Sequence, residues 1–298
     1  MTSMTRRHFS ALAAAAVWPV AGLGQGKEAA LVTRAIPSSG ERLPAVGLGT
    51  AIVFNNDDAK TRETATQILR TLLDNGGRLV DTASSYGDAE LVLGHAVAAA
   101  ASRDKFFVAT KLRSPDAAEL ERSLTRLATR RIDLLQLHNV RDPAQSLAQF
   151  RTWKTQGVCR YVGITSTSER DYGAVEAVLK REKPDFVQID YSLDNRDVEE
   201  RILPLAAEVR AGVLTALPFG RARLFRAVRG KSLPDWSIDF AESWAQFFLK
   251  YLLGDERVTA VIPGTSDPAH MADNLGAMRG RMPDAAERRR MVEFVQNL

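Results

Sequence analysis

Residues 106–139 read FFVATKLRSPDAAELERSLTRLATRRIDLLQLHN, and in this stretch two apolar runs flank a segment with helical periodicity. The runs at 106–112 and 132–139 are apolar on both faces, which is typical of strands in a buried parallel sheet. Between them, the leucines of 117–129 recur every three or four residues and predict an amphipathic helix. The stretch therefore predicts a strand, a helix and a second strand.

The same alternation continues on both sides of this unit. Strand-like runs lie at 44–52, 78–83, 106–112, 132–139, 160–165, 186–192, 212–219 and 258–264. Eight strands that alternate with helices predict the α/β class and a single-domain (β/α)8 TIM barrel. A doubly wound sheet is the main rival, but it needs a glycine-rich turn after the first strand, and Gly47-Leu48-Gly49 lacks the third glycine. The one long irregular connection is predicted at 220–242.

The first 25 residues differ from the rest of the chain. Arg6 and Arg7 precede a small apolar run at 11–24, and the run is too short to span a bilayer. The Arg-Arg-x-Phe core resembles a twin-arginine export signal, although a chance basic start before a buried helix is the alternative. We therefore expect a signal peptide at 1–25, the barrel at 26–298, export by the twin-arginine machinery, and a periplasmic mature protein without stable membrane insertion.

Composition excludes several classes of protein. The 298 residues are 45% hydrophobic, which is too apolar for intrinsic disorder. The net charge of +4 is small and the basic residues are scattered, so we expect no nucleic-acid partner. The single cysteine, Cys159, rules out an internal disulfide.

Four side chains with acid–base chemistry follow neighbouring predicted strands. Asp81 ends the second strand and Tyr86 lies five residues on, while Lys111 ends the third strand and His138 the fourth. Singly, each has an ordinary structural explanation. Together they meet at the carboxyl ends of the strands, where active sites of this fold collect.

The four residue types suit the reduction of a carbonyl group. A buried lysine needs a carboxylate partner, and Asp81 is the obvious one. An ammonium beside a tyrosine hydroxyl stabilises the phenolate, so Tyr86 can donate a proton to a nascent alkoxide and recover it. A neutral His138 can hydrogen-bond the substrate carbonyl. The hydride must come from an external donor.

Other chemistries lack their motifs. The sequence contains no G-x-S-x-G, so a nucleophilic serine of the hydrolase type is not predicted. The four histidines are far apart and form no H-x-x-x-H, so we expect no metal.

Seven ordered motifs together resemble the aldo-keto reductases. They are G-L-G-T (47–50), L-V-D-T-A-x-x-Y-G (79–87), A-T-K-L (109–112), L-x-L-H-N (135–139), Y-V-G-I-T (161–165), V-Q-I-D-Y-S-L-x-N-R (187–196) and V-I-P-G-T-S-x-P-x-H-x-x-x-N (261–274). The resemblance implies a reductase of aldehydes or ketones on a (β/α)8 barrel. It also implies NADPH as the usual cofactor, with NADH as the alternative.

The resemblance assigns roles to particular residues. It makes Tyr86 the general acid, tuned by Lys111 and Asp81, and makes His138 the residue that orients the carbonyl. The implied cofactor-binding residues are Thr50, Asp81, Thr165, Ser166, Gln188, Pro218, Gly220, Arg221, Gly264, Thr265, Ser266, His270 and Asn274.

Several positions depart from the family pattern. Thr165-Ser166 replaces the usual Ser-Asn pair, which removes one amide near the nicotinamide carboxamide. Gly264 and His270 replace a lysine and an arginine that grip the 2′-phosphate of NADPH, and Arg221 or Arg223 is the candidate compensation. Tyr191 is either a substitute stacking partner for the nicotinamide or a packing residue.

Two alternatives to a reductase stay open at this stage. One is a binding or regulatory barrel that holds the cofactor with little turnover, since free cofactor is scarce outside the cytoplasm. The other is a barrel that has lost its cofactor. The substrate is a small carbonyl compound, and the short mouth loops predict an open pocket.

Overall fold

The computed structural model describes residues 30–101 and 103–298, so the predicted signal peptide lies outside the described residues. Within them, the strands are β1 (Thr33–Ala35), β2 (Arg42–Pro44), β3 (Leu48–Gly49), β4 (Leu79–Asp81), β5 (Phe107–Leu112), β6 (Ile132–Leu137), β7 (Cys159–Ser166), β8 (Phe186–Asp190), β9 (Gly212–Ala216) and β10 (Val258–Val261). The strands β3 to β10 form one parallel sheet in chain order, and β1 pairs antiparallel with β2.

Helices follow the strands of the parallel sheet. They are α1 (Ala59–Asp74), α2 (Ala89–Ala100), α3 (Ala117–Arg126), α4 (Ala148–Thr155), α5 (Tyr172–Glu182), α6 (Val198–Glu208), α7 (Arg223–Ala227), α8 (Trp244–Leu253), α9 (Pro268–Gly276) and α10 (Ala285–Gln296). Aspartates cap several of them; the Asp116 carboxylate, for example, accepts the backbone N–H of Ala118 and begins α3. None of the helices in the described part of the chain is long and apolar enough to cross a membrane.

The first and last strands of the sheet meet and close the barrel. The backbone N–H of Gly49 donates to the carbonyl of Pro263 at 3.0 Å, and Gly49 pairs in parallel with Gly264. A Cβ at Gly49 would lie 2.9 Å from the carbonyl oxygen of Ile262, so the close approach requires glycine. The predicted (β/α)8 barrel is confirmed, and the doubly wound alternative is wrong.

Strand alternation divides the core into two parts. Along β5, Phe107 and Ala109 join the cluster inside the barrel, whereas Val108 and Leu112 join the larger cluster between sheet and helices. Lys111 therefore points into the barrel, because successive side chains alternate between the two faces.

An apolar plug fills the amino-terminal end of the barrel. The rings of Phe107, Tyr161 and Phe186 pack together there, with centroids 5.6–6.2 Å apart. Ile36 and Leu43 of the β1–β2 hairpin pack beneath them. The plug leaves only the carboxyl ends of the strands for a site inside the barrel.

Some predicted boundaries are wrong for local reasons. The predicted strand 44–52 shrinks to β3, since its start belongs to β2 and the hairpin. The predicted strand 212–219 ends early because Leu217 takes a left-handed φ of 53°. The connection 220–242 is not wholly irregular, because it contains α7.

A substitution in the plug tests how much the plug stabilises the barrel. We expect Phe186→Ala to lower the free energy of unfolding by about 3–5 kcal/mol, because it opens a cavity among fully buried rings. Equilibrium unfolding in urea, followed by tryptophan fluorescence, measures the change. Ile52→Ala, at a side chain that is 72% exposed, is the control and should change it by less than about 0.5 kcal/mol. Equal effects of the two substitutions would contradict this view of the core.

Candidate active site

A buried ion pair lies at the centre of the barrel. The Lys111 ammonium donates to Asp81 Oδ2 at 2.6 Å and to the carbonyl of Thr82 at 2.8 Å. The two side chains are 1% and 3% exposed. Gln188 adds a hydrogen bond from Nε2 to Asp81 Oδ2 at 3.2 Å. The carboxylate thus has several partners, as a buried charge requires.

Burial and ion pairing shift the pKa of each group in this pair in opposite directions. Burial lowers the pKa of Lys111, but Asp81 and then Tyr86 outweigh it, so the pKa of Lys111 is raised and the ammonium stays charged. Burial raises the pKa of the Asp81 carboxyl against the opposing effects of Lys111 and the Gln188 amide. The Lys111 ammonium therefore places a positive charge beneath the mouth of the barrel, with the Asp81 carboxylate as its counter-ion.

Tyr86 and His138 lie above this charge. The Lys111 nitrogen is 5.1 Å from the centre of the Tyr86 ring. The rings of Tyr86 and His138 meet edge to face with centroids 5.7 Å apart. Both rings are half-buried. The structure thus brings together all four side chains of the predicted catalytic set.

The loop that carries Tyr86 is fixed by its neighbours. The Ser84 hydroxyl donates to the buried Glu119 carboxylate at 2.6 Å, and Arg126 donates to the carbonyl of Gly87 at 2.5 Å. Gly87 has a φ of +53°, and a Cβ there would lie 3.0 Å from the carbonyl of Asn55. These contacts orient Tyr86 before any substrate binds, and such preorganisation favours catalysis.

His138 is neutral over the physiological range of pH. Burial, followed by the positive charges of Lys111, Arg141 and Arg113, lowers the pKa of His138 to about 4. Its Nδ1 lies 3.3 Å from the Ser85 hydroxyl. When that hydroxyl donates to Nδ1, the ring proton is on Nε2, which is then free to donate to a ligand.

Two of the predicted nicotinamide contacts lie on the inner face of the barrel. Gln188 on β8 pairs in register with Thr165 on β7, beside Asp81. Thr165 Oγ1 accepts the backbone N–H of Asn139 at 2.9 Å. Thr50, after β3, donates from its hydroxyl to the carbonyl of Asp81 at 3.1 Å.

Ser166 does not join this group. It pairs in register with Ile189, whose side chain belongs to the outer core. Its hydroxyl donates to the carbonyl of Ser168 and to Asp171, each at 3.2 Å. Strand alternation explains the difference, because adjacent residues face opposite sides of the sheet.

The loop after β9 has an unusual backbone. Leu217, Arg221 and Ala222 all take positive φ angles, between 52° and 65°, although none is glycine. Such conformations cost energy and cluster at functional sites. This loop contains the predicted cofactor residues Pro218, Gly220 and Arg221.

Asp194 ties the same loop to the segment after β8. It accepts from Arg223 Nε at 2.8 Å, and a Cβ on Gly220 would lie 2.5 Å from its Oδ1. Arg223 therefore already has an anionic partner, whereas Arg221 is exposed and has no ion pair among the described residues.

The segment after β10 leads into α9. Its predicted cofactor residues comprise the exposed Gly264, Ser266 and His270 and the buried Thr265 and Asn274. Thr265 Oγ1 accepts the backbone N–H of Asp267 at 3.1 Å, and the Asp267 side chain caps α9.

Three polar residues at the mouth, Gln136, Asn139 and Asp190, are not among those that the sequence motifs predict. Gln136 donates to Gln188 Oε1 at 2.9 Å, but its own Oε1 is buried without a partner, as are Asn139 Oδ1 and Asp190 Oδ1. Burial raises the pKa of Asp190 to about 6, opposed by Arg221 and Arg223. The period of two along β6 and β8 places Gln136 and Asp190 on the inner face, two residues from His138 and Gln188.

Tyr191 is a packing residue rather than a stacking partner. It is fully buried, its hydroxyl donates to Glu199 at 2.5 Å, and Arg288 of α10 donates to that hydroxyl at 2.9 Å. It therefore packs outside the barrel, against the last helix.

A cavity of about 380 Å³ opens beside His138. Its lining includes Ser85, Arg113, Asn139, Arg141 and Asp142. Among the residues that the structure describes, no cluster of histidine, cysteine, aspartate and glutamate has the arrangement of a metal site.

The fold and this set of side chains define a barrel oxidoreductase that reduces carbonyl groups. A family model described as "Aldo/keto reductase family" matches residues 45–232, well over half of the chain. The chain therefore belongs to the aldo/keto reductase family.

Individual relatives agree with this assignment. The chain is 29% identical over 255 residues to methylglyoxal reductase YeaE of Escherichia coli K12, covering 82% of this chain and 88% of the relative. A Klebsiella pneumoniae aldo-keto reductase solved in complex with NADPH superposes with a TM-score of 0.75 at 24% identity, over 89% of this chain and 96% of that one. The holo form of AKR11C1 from Bacillus halodurans gives 0.72 at 24% identity, with the same two coverages.

The titration of His138 tests the electrostatics of the site. We expect its imidazole to titrate with a pKa of about 4, and the pKa to rise in Lys111→Met because a nearby positive charge is lost. NMR titration of the ring protons measures both values, and His138→Gln assigns the resonance. A value near 6.5 in the wild type would contradict the geometry described above.

The same shift has a consequence for stability. Because the pKa of His138 is lower in the folded chain than in the unfolded one, the unfolded chain takes up this proton first as the pH falls. Neutral His138 therefore leaves the free energy of unfolding at its full value above pH 6.5. Part of that free energy is lost as the pH falls toward about 4.

Proposed function

We propose that this protein reduces aldehyde or ketone carbonyls to alcohols with NADPH, as an oxidoreductase of the EC 1.1.1 type. The observation that carries the proposal is the Lys111–Asp81 ion pair at 2.6 Å beneath Tyr86 and a neutral His138. The name of the Escherichia coli relative, a methylglyoxal reductase, supports a small carbonyl compound as substrate.

Tyr86 supplies the proton in the proposed mechanism. As negative charge develops on the carbonyl oxygen, the Tyr86 hydroxyl donates its proton to that oxygen. The Lys111 ammonium, 5.1 Å from the ring centre, stabilises the phenolate that remains. Asp81 holds the ammonium in place. A proton from solvent, which reaches the half-buried Tyr86, then restores the hydroxyl for the next turnover.

His138 orients the carbonyl. In its neutral form, Nε2 donates a hydrogen bond to the carbonyl oxygen while Nδ1 accepts from Ser85. A neutral donor is the appropriate one here, because a charged imidazolium would compete with Tyr86 as the acid. The low pKa of His138 therefore leaves Tyr86 as the acid and His138 as a neutral hydrogen-bond donor.

The residues at the mouth fit a nicotinamide cofactor. When bound, the reduced nicotinamide supplies a hydride to the carbonyl carbon. Its carboxamide carries two N–H donors, and the partnerless acceptors at Gln136, Asn139 and Asp190 match such a group. Gln188 and Thr165 would hold the same end, with Thr50 beside them. Asn139 would also compensate for the amide missing at Ser166.

The remaining cofactor contacts lie on two loops. Pro218, Gly220 and Arg221 would cover the pyrophosphate, and the segment from Gly264 to Asn274, with Thr265, Ser266 and His270, would hold the adenosine end. Arg221 is exposed and Arg223 pairs with Asp194, so Arg221 is the better candidate to bind a 2′-phosphate. We therefore expect NADPH to bind more tightly than NADH.

A barrel that only holds its cofactor is not favoured. Removing two charges from water costs several kcal/mol per ion, and a purely binding protein gains nothing from the Lys111–Asp81 pair. Buried ionisable groups in a cleft are typical of catalytic sites.

The central test removes the hydroxyl oxygen of Tyr86. We expect Tyr86→Phe to lower kcat for 4-nitrobenzaldehyde at least about 100-fold, because the general acid is lost, while NADPH binding changes less than about twofold. Stopped-flow absorbance at 340 nm measures turnover, and fluorescence titration with NADPH and NADH measures binding.

Tyr172→Phe is the matched control for this test. Tyr172 packs in the core between the sheet and the helices, and its buried hydroxyl has no hydrogen-bond partner, so its removal should leave both quantities unchanged. Full turnover by Tyr86→Phe would refute the mechanism. Failure of the wild type to bind either cofactor would refute the function.

We also propose that the protein is exported by the twin-arginine machinery and acts in the periplasm. The support is the Arg6-Arg7 motif and the short apolar run at 11–24. Twin-arginine transport carries folded cargo, so the cofactor can travel with the protein. Cleavage near residue 25 would release the barrel of residues 26–298.

Export is tested by changing the two arginines to lysine. We expect the Arg6→Lys, Arg7→Lys double variant to remain in the cytoplasm at its full length. Cell fractionation with intact-mass spectrometry measures location and cleavage together. Arg130→Lys, Arg131→Lys is the control pair on the barrel surface and should be exported normally. Normal export of the twin-lysine variant would contradict the proposal.

A further inference from the structure

Two arginine side chains line the cavity beside His138. We call its charged lining, formed by Arg113, Arg141 and Asp142, the arginine pocket. Two arginines face one aspartate there, and His138 is neutral. Both arginines act electrostatically on His138, which places their positive charge close to the reacting carbonyl.

Arg141 is the cation with the most capacity for a ligand. Its backbone N–H donates to Gln145 at 3.0 Å, which fixes the loop after β6, but its guanidinium has no ion pair in the described part of the chain. Arg113 differs, because its Nε lies 3.6 Å from the buried Glu119 carboxylate. The Arg113 side chain is 73% exposed, and this contact leaves its two terminal nitrogens for another partner.

Asp142 contributes one negative charge to the lining of the pocket. Its Oδ1 accepts the backbone N–H of Ala144 at 2.8 Å, so the carboxylate is used to form the turn at 142–145. No ion pair joins it to Arg113 or Arg141 among the residues described. Arg113 and Arg141 thus both line the cavity, with Glu119 near Arg113, and the guanidinium of Arg141 stays available for a ligand.

We propose that the arginine pocket binds a carboxylate on the substrate, so that the preferred substrates are carbonyl acids. A guanidinium pairs with a carboxylate through two parallel hydrogen bonds, which fixes orientation as well as adding affinity. With the carboxylate in the pocket, the carbonyl of the same molecule lies toward His138 and Tyr86. The carboxylate takes no part in the reaction. This inference rests on the proposed function for its catalytic consequence, but not for binding.

The test compares acids with their neutral esters. The probes are 3- and 4-carboxybenzaldehyde and their methyl esters, which keep the aldehyde and remove the charge. Ligand-observed NMR measures binding without turnover, and reduction by NADPH is followed in parallel. We expect at least one acid to bind about fivefold or more tightly than its ester, with the preference falling as salt is added.

Variants assign the preference to particular charges. Arg141→Gln should remove most of the preference for the acid, Arg113→Gln should remove part of it, and Asp142→Asn should increase it about twofold. Arg122→Gln, at an exposed arginine of α3 outside the pocket, is the matched control and should leave the preference unchanged. The opposite signs expected for Arg141 and Asp142 separate electrostatics from loss of structure.

The outcomes are distinct. No preference for either acid, or a preference unaffected by both Arg141→Gln and Arg113→Gln, would overturn the carboxylate site. A preference that depends on Arg141 while no aldehyde is reduced would support the site and overturn the proposed function. Faster reduction of the acid than of its ester, lost in Arg141→Gln, would support both.

Discussion

The ion pair between Lys111 and Asp81 is the constraint on which the rest of the site depends. Two opposite charges in a nearly dry interior cost several kcal/mol each to desolvate, and they persist only with near-ideal geometry and further hydrogen bonds. The barrel supplies both, since neighbouring parallel strands place the two groups 2.6 Å apart and β8 adds the amide of Gln188. The surrounding closed sheet keeps this geometry rigid.

The residues below and above that ion pair have different effects on its charges. Below it, aromatic rings and the β1–β2 hairpin exclude water, so the charges keep their full effect. Above it, the same Lys111 charge stabilises a phenolate at Tyr86 and helps to keep His138 neutral. Because of this one buried ammonium, Tyr86 can act as the acid while neutral His138 acts as the hydrogen-bond donor, and the reduction of a carbonyl needs both roles.

The outer mouth extends the same positive potential toward solvent. Arg113 and Arg141 lie beyond His138, and Arg221 lies on the loop after β9. Positive side chains around a cleft raise the local concentration of anions and their association rate. Cofactor phosphates and a substrate carboxylate would both benefit, although they would meet different arginines. The loop after β9 also has positive φ angles at Leu217, Arg221 and Ala222, where no glycine relieves the strain.

The sequence by itself determined the barrel, because alternating strand and helix periods are local properties, and it placed Asp81, Lys111 and His138 at strand ends that must share one edge. It could not decide which polar groups near those ends meet. Strand alternation places Gln136 and Asp190 on the inner face and Ser166 on the outer one once the register is known. Asn139 and Tyr191 lie beyond the ends of their strands, and only the tertiary structure decides where they face. Arg113 and Arg141 become neighbours of His138 because two loops from adjacent strands fold toward each other, and no periodicity encodes that approach. The spacing of apolar residues along the chain determines the helices and strands. Contacts between residues that are distant in sequence determine which side chains form the site.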